Sequence, residues 1–110
     1  MARTLITVPP SARRGEVIEI RTLIQHPMET GYRPGADGKV LARDLIRRFS
    51  CRYDDGSGSQ LVFAAELYAA VAANPLISFH TVATASGTLT FTWEGDNGFM
   101  QSESVAIKVT

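Results

Sequence analysis

Apolar and polar side chains alternate with period two along most of the chain, and that alternation predicts strands. Ile18, Ile20, Thr22 and Ile24 alternate with Glu19, Arg21 and Leu23, and Leu89, Phe91 and Trp93 alternate with Thr88, Thr90 and Thr92. Val105, Ile107 and Val109 repeat the pattern against Ser104, Ala106 and Lys108. Phe49, Cys51 and Tyr53 make a fourth series, and Ile77, Phe79, Thr81 and Ala83 a fifth. One buried and one solvated face per strand is the pattern of an antiparallel sheet. Turn residues separate the runs at Asp37-Gly38, Asp55-Gly56-Ser57-Gly58, Ser86-Gly87 and Asp96-Asn97-Gly98. About seven short strands divided by such turns predict an all-β antiparallel sandwich.

Two segments carry a different period. Leu41, Leu45, Ile46 and Phe49 approximate a helical stripe. Leu61 to Ala73 is alanine-rich, with Leu61, Ala65, Tyr68 and Ala72 on one helical face and a stop at Asn74-Pro75. Propensity favours a helix there.

Length confines this pattern to one domain, residues 1–110, large enough to bury roughly 60–70% of its unfolded surface. No apolar run approaches the roughly 20 residues of a membrane helix, so no membrane partner is expected. The opening residues Met1 to Pro10 hold a short apolar run stopped by two prolines, which is not the pattern of a secretory signal. Formal charge is zero but uneven, with +1 over residues 1–32, +4 over 33–52 and −5 over 53–110. The basic middle, Arg33 to Arg52, suits an anionic group or a solvated face paired with local acids. Nucleic acid is not expected, because there is no basic excess and no aromatic interleaving of the arginines.

The richest chemistry lies in Gln25-His26-Pro27-Met28-Glu29-Thr30-Gly31-Tyr32-Arg33-Pro34. Pro27 and Pro34 lack an amide proton and push the residues before them toward extended geometry, so the segment reads as a loop after the Glu16 to Ile24 strand. An imidazole, a thioether, a carboxylate, a phenol and a guanidinium within it fit a binding loop on a rigid scaffold. Catalytic patterns are missing: there is no Gly-x-Ser-x-Gly, no phosphate loop and no cysteine framed by histidine and acid. Cys51, His26, His80 and Met28 or Met100 are ligand types of a blue-copper site, but Cys51 sits mid-strand and no histidine follows it until His80, so no metal or cofactor is expected. As the only cysteine, Cys51 reads as a buried thiol.

His26-Pro27-Met28-Glu29-Thr30-Gly31-Tyr32-Arg33-Pro34 also carries a family likeness. Arg13-Arg14-Gly15-Glu16-Val17-Ile18-Glu19-Ile20-Arg21 precedes it, and Arg43-Asp44, Arg48-Phe49-Ser50-Cys51, Ala73-Asn74-Pro75 and Trp93-Glu94-Gly95-Asp96-Asn97-Gly98 follow. With these, the chain from about Arg3 to Thr110 resembles the SoxZ family, the non-catalytic subunits of the SoxYZ carrier in bacterial thiosulfate oxidation. The resemblance implies an immunoglobulin-like sandwich in which Gln60 to Leu67 is a strand with Leu61, Phe63, Ala65 and Leu67 inward and Tyr68 to Asn74 a connecting turn or short helix, and this strand is expected over the helix that propensity favours. The resemblance further implies a heterodimer with SoxY, on whose C-terminal Gly-Gly-Cys-Gly-Gly arm the sulfur rides. It also implies transient contacts with SoxXA, SoxB and SoxCD, and a periplasmic location reached by co-export with the signal-bearing partner. This chain's C-terminal run, Val105 to Thr110, holds no such cysteine, so the carrier residue is expected on the partner. A free-standing immunoglobulin-like binding or adhesion module is the alternative that the architecture permits.

From the two loops, His26, Met28, Glu29, Tyr32, Arg33, Asp96, Asn97 and Phe99 are expected to contact the partner or its arm. Arg33 offers a planar donor fork to a sulfonate, or else pairs with Glu29 or Asp37 to brace the loop. Trp93 belongs to the core.

Overall fold

Each predicted alternating series forms a strand, since pairing satisfies the backbone while the apolar face is removed from water. The computed structural model describes residues 2–110; Met1, the first residue of the expected domain, lies outside the described residues. Eight strands follow in order: β1 (Thr4–Thr7), β2 (Ser11–Ala12), β3 (Val17–Ile24), β4 (Ile46–Asp54), β5 (Ser59–Glu66), β6 (Leu76–Val82), β7 (Gly87–Gly95) and β8 (Met100–Val109). They form a three-stranded sheet, β1-β3-β6, and a five-stranded sheet, β2-β8-β7-β4-β5, in an immunoglobulin-like sandwich.

Prolines divide the first edge between the two sheets. β1 pairs antiparallel with β3, from Thr4 opposite Ile24 to Thr7 opposite Arg21. Pro9 and Pro10 have no amide proton to continue that ladder. After them the chain crosses to the other sheet, where β2 runs parallel to β8 with Ser11 opposite Lys108. This short pair is the exception to the expected antiparallel pairing.

The core lies between the sheets. Phe49, Cys51 and Tyr53 of β4, Leu89, Phe91 and Trp93 of β7, and Ile18, Ile20, Thr22 and Ile24 of β3 are all buried, as the alternation predicts. Phe49 is its hub, with ring centroids 5.3 Å from Trp93, 6.3 Å from Phe91 and 6.2 Å from Phe79 of the facing sheet. Burying a side chain of this size contributes roughly 1.5–3 kcal/mol, and each good aromatic pair about 0.5–1.5 kcal/mol more.

Neither helical stripe is a helix, since among the described residues there is no α-helix, and the strand that the resemblance implies at Gln60 to Leu67 is present as β5. Ile46 and Phe49 belong to β4, so the Leu41 to Phe49 stripe is coincidental. In the alanine-rich segment the strand prevails, because β4 offers an open edge and Phe63 stacks on Phe79 across the sandwich at 4.4 Å with planes 10° apart. A bulge shifts the expected facing within it. Register slips between Cys51 and Arg52, so Leu61 falls opposite Arg52 on the outer face and is 47% exposed, whereas Phe63 and Ala65 still point inward. Tyr68 to Asn74 is a series of turns, closed where the Val71 N–H donates to the Tyr68 carbonyl at 3.2 Å.

The outer face of the small sheet carries an apolar row. Leu5 lies opposite Leu23 and Leu23 opposite Leu76, with Leu5 64% and Leu76 63% exposed. Large side chains aligned across three strands make a patch that ordinary isolated surface leucines do not.

Gly95, at the end of β7, admits no side chain. A Cβ there would lie 2.4 Å from the Leu45 carbonyl oxygen. Gly95→Ala is therefore expected to destabilise the fold by about 1–3 kcal/mol, the usual cost of overpacking. Gly58→Ala, where a Cβ meets nothing within 4 Å, is the control and should leave thermal denaturation almost unmoved.

Candidate functional site

Between β3 and β4 the chain makes a twenty-one-residue excursion, 25–45, and the β7–β8 turn folds against it. Its entry is bolted down. His26 donates its amide to the Asn74 side chain at 2.9 Å, and Asn74, at φ +52°, returns its own amide to the His26 carbonyl at 2.8 Å. The His26 ring is buried: Nδ1 accepts the Met28 amide at 3.1 Å, Nε2 faces Asp44 at 3.5 Å, and Phe99 packs edge-on with centroids 5.1 Å apart. Met28 turns inward at φ +50°, where its sulfur accepts the Ile46 amide at 3.3 Å. His26 and Met28 are thus buried side chains that hold the loop to the sheets, whereas surface positions were expected for a contact set.

Glu29 and Asp44 exchange both backbone hydrogen bonds at 2.8 Å, closing the base of the loop. Above it, Gly31 at φ +91° passes so near Arg43 that a Cβ would meet the Arg43 Cβ at 3.2 Å. Residues 33–41 form a small tongue, with the Gly35 amide on the Lys39 carbonyl at 2.7 Å and the Leu41 amide on the Arg33 carbonyl at 2.8 Å. Asp37 accepts the Lys39 amide at 3.0 Å. Arg33 pairs with Glu29, Nη2 to Oε1 at 2.6 Å and Nε to Oε2 at 3.3 Å. That hydrogen bond first, and then charge attraction, hold the Glu29 carboxyl below its ordinary range against the opposing effect of desolvation. Arg33 is a brace, as one of its two expected roles has it, and Tyr32 beside it is 85% exposed.

The turn brings the second half of the expected contact set to this loop. Asp96, its side chain only 11% exposed, accepts the Leu45 amide at 3.1 Å and Arg43 at both carboxylate oxygens, Nε at 2.9 Å and Nη2 at 3.1 Å. Arg47 Nη1 approaches the same carboxylate at 3.6 Å. Burial would raise the Asp96 pKa, but the Leu45 amide and the two guanidiniums outweigh it and hold the group below the usual carboxylate range. Asn97, at φ +60°, donates its side-chain amide to the Arg43 carbonyl at 3.4 Å, and Phe99 is half-buried against His26.

Two adjoining hollows, of about 220 and 250 Å³, open beside this cluster and share Arg47, Leu67 and Tyr68. The first is also lined by Thr30, Tyr32 and Arg43, the second by Arg48 and Glu66. Arg43, Arg47 and Arg48 fall in the basic segment that the charge distribution marks. Leu67 and Tyr68 carry no such signal, because nothing in an alanine-rich run indicates that its end turns back over β4. Among the described residues, no group of three His, Cys, Asp or Glu side chains is placed to hold a metal ion. Cys51 lies far from solvent, and burial pushes its thiol up to about 12.

A family model for sulphur oxidation protein SoxZ matches residues 6–106. No curated protein sequence matches the chain. Among solved structures, the superoxide reductase (neelaredoxin) from Ignicoccus hospitalis superposes with a TM-score of 0.75 at 13% identity, over 99% of this chain and 82% of that one. The sulfur carrier protein SoxY from Chlorobium limicola f. thiosulfatophilum superposes with a TM-score of 0.64 at 15% identity, over 97% of this chain and 78% of that one. At these identities the two likenesses show the fold alone.

Asp96 sets a pH test. Its lowered folded-state pKa contributes stability that is present above the ordinary aspartate pKa and is lost as pH falls through the folded value. Asp96→Asn should lower the melting temperature at pH 7, and the gap to the unaltered chain should close as the pH falls below about 4. A gap that stays constant from pH 7 to pH 3 would show that the carboxylate charge contributes nothing.

Proposed function

The chain belongs to the SoxZ family of sulphur oxidation proteins, and from that premise we propose that it is the non-catalytic scaffold of a two-chain sulfur carrier, paired with SoxY. The observation that carries this reading is the state of Cys51. Covalent loading of sulfur needs a thiolate in reach of solvent. Cys51 sits inside the sandwich, opposite Phe63 and Phe91 in the register and between Phe49 and Tyr53 in sequence, with its thiol raised to about 12 by burial. At neutral pH it is a neutral side chain in the core, and the reactive cysteine belongs to the partner.

The apolar row Leu5-Leu23-Leu76 supports a lasting partner, since permanent interfaces are more apolar than free surface. A rigid sandwich with a braced loop suits a subunit that presents another chain's mobile arm to SoxXA, SoxB and SoxCD in turn. The proposed compartment is the periplasm, reached by export together with the signal-bearing partner.

Two experiments test this. In a reconstituted complex given thiosulfate and its enzymes, intact mass should place the adduct on SoxY and none on this chain. Cys51→Ser should cost about 1–3 kcal/mol of stability, from burying a hydroxyl in an apolar site, while turnover persists. An adduct on Cys51 refutes the scaffold role. Separately, the isolated chain should bind an apolar dye whose signal falls when SoxY is added, and Leu76→Ser should weaken the association. Failure of SoxY to co-purify with the chain removes the reading altogether.

A further inference from the structure

We propose that the hollow between Tyr32, Arg43, Arg47 and Tyr68 is a weak receptor for a terminal sulfonate, the –SO3− end of an S-sulfonated cysteine carried on a flexible peptide. This rests on the reading that the partner carries sulfur on a cysteine, and it relocates the anion contact from Arg33. Glu29 already occupies the Arg33 fork through two hydrogen bonds. Arg43 and Arg47 are differently placed.

These two guanidiniums, each 54% exposed, share one carboxylate. Asp96 spends part of its capacity on the Leu45 amide and receives Nε and Nη2 of Arg43, while Arg47 stands at 3.6 Å, beyond hydrogen-bond distance. A guanidinium has five N–H donors, so most of those on Arg47 and several on Arg43 have no acceptor in the Asp96 cluster. The local sum is one positive charge in excess. Among the described residues no carboxylate lines this hollow. Glu66 lines the neighbouring one, where the Tyr68 hydroxyl donates to it at 2.9 Å and Arg48 faces it in the register. Arg48 is also 4.0 Å from Glu94 and does not line this hollow.

Shape agrees with charge. A volume of about 220 Å³ admits a sulfonate and the sulfur to which it is bonded. Tyr32, Tyr68 and Leu67 give apolar walls for that slender stem, and the Thr30 hydroxyl, which accepts the Tyr32 amide at 3.2 Å, keeps its own proton free to donate. The backbone that carries the donors is fixed: Arg47 lies in β4 at the shift of register between Ile46 and Arg48, and the Glu29–Asp44 bridge, with Asn97 donating to the Arg43 carbonyl, holds the chain at Arg43. An open, solvated site built this way binds weakly, as a carrier that must release its cargo requires.

The full chain, isotopically labelled, is titrated separately with a glycine-flanked S-sulfocysteine peptide, the same peptide with free cysteine, thiosulfate, and sodium chloride at matched ionic strength. The sulfonated peptide should shift the amides of Thr30, Leu45, Leu67 and Ala69 together, and free cysteine and chloride should not. Arg47→Ala should weaken the response about fivefold, as for loss of an exposed charge contact, and Arg47→Gln should do the same if the alanine variant melts early. Arg14→Ala, remote from the hollow, should leave it unchanged. Equal affinity for thiosulfate and the peptide assigns the site to the free oxyanion and overturns the receptor for a carried group. Absence of these shifts, while SoxY still co-purifies with the chain, overturns the receptor and leaves the scaffold role standing. Loss of SoxY association instead overturns the reading beneath it.

Discussion

A carboxylate largely screened from water at Asp96 holds the excursion 25–45 and the β7–β8 turn together. An ionised group in that position is costly unless amides and cations surround it, and the Leu45 amide with Arg43 and Arg47 supplies them. The excursion 25–45 is thereby drawn onto the β7–β8 turn at the mouth of β4. Gly95 allows the approach, since only a residue without Cβ lets β7 lie against the Leu45 carbonyl. The position of Arg43 beside the hollow follows from this closure, and that of Arg47 from its place on β4.

The inward members of the loop serve the same end. His26 and Met28 spend their polar atoms on backbone amides that would otherwise be buried without partners, at Met28 and Ile46 respectively. Asn74 satisfies the His26 backbone from the far connection. The loop consequently behaves as an extension of the sandwich with one free surface, where Tyr32, Arg43 and Arg47 stand. The one cysteine in the chain, Cys51, is withdrawn into the core. Likeness in fold to superoxide reductases adds nothing to that chemistry, because a sandwich of this kind hosts unrelated sites.

Alternation alone was enough for β3, β4, β6, β7 and β8 and for most of the core, Ala12, Met28, Leu45 and Ile46 lying outside the series, because a side chain's facing in a strand depends only on parity. The loop at 25–34 and the turn at 96–98 were equally legible, since proline, glycine and asparagine act on their own backbone. Local chemistry also marked the basic segment. The family likeness rested on the same short stretches.

Facts that depend on distant neighbours were out of reach. Periodicity alone left Leu61 to Leu67 between strand and helix, and only the family likeness favoured the strand; the open edge of β4 and the Phe63–Phe79 stack are its physical cause, and Leu61 turned outward because a bulge changed parity midway. The parallel pairing of β2 required β8 to be its neighbour. Arg33, Arg43 and Arg47 are alike in sequence, and only the folded chain distinguished them, by placing Glu29 against the first and one shared carboxylate between the other two. Parity and backbone preference are properties of a residue and its neighbours in sequence, so the sequence by itself determined the strands and turns. Which charges are spent and which remain free is a property of separations in space, and only the tertiary structure decided it.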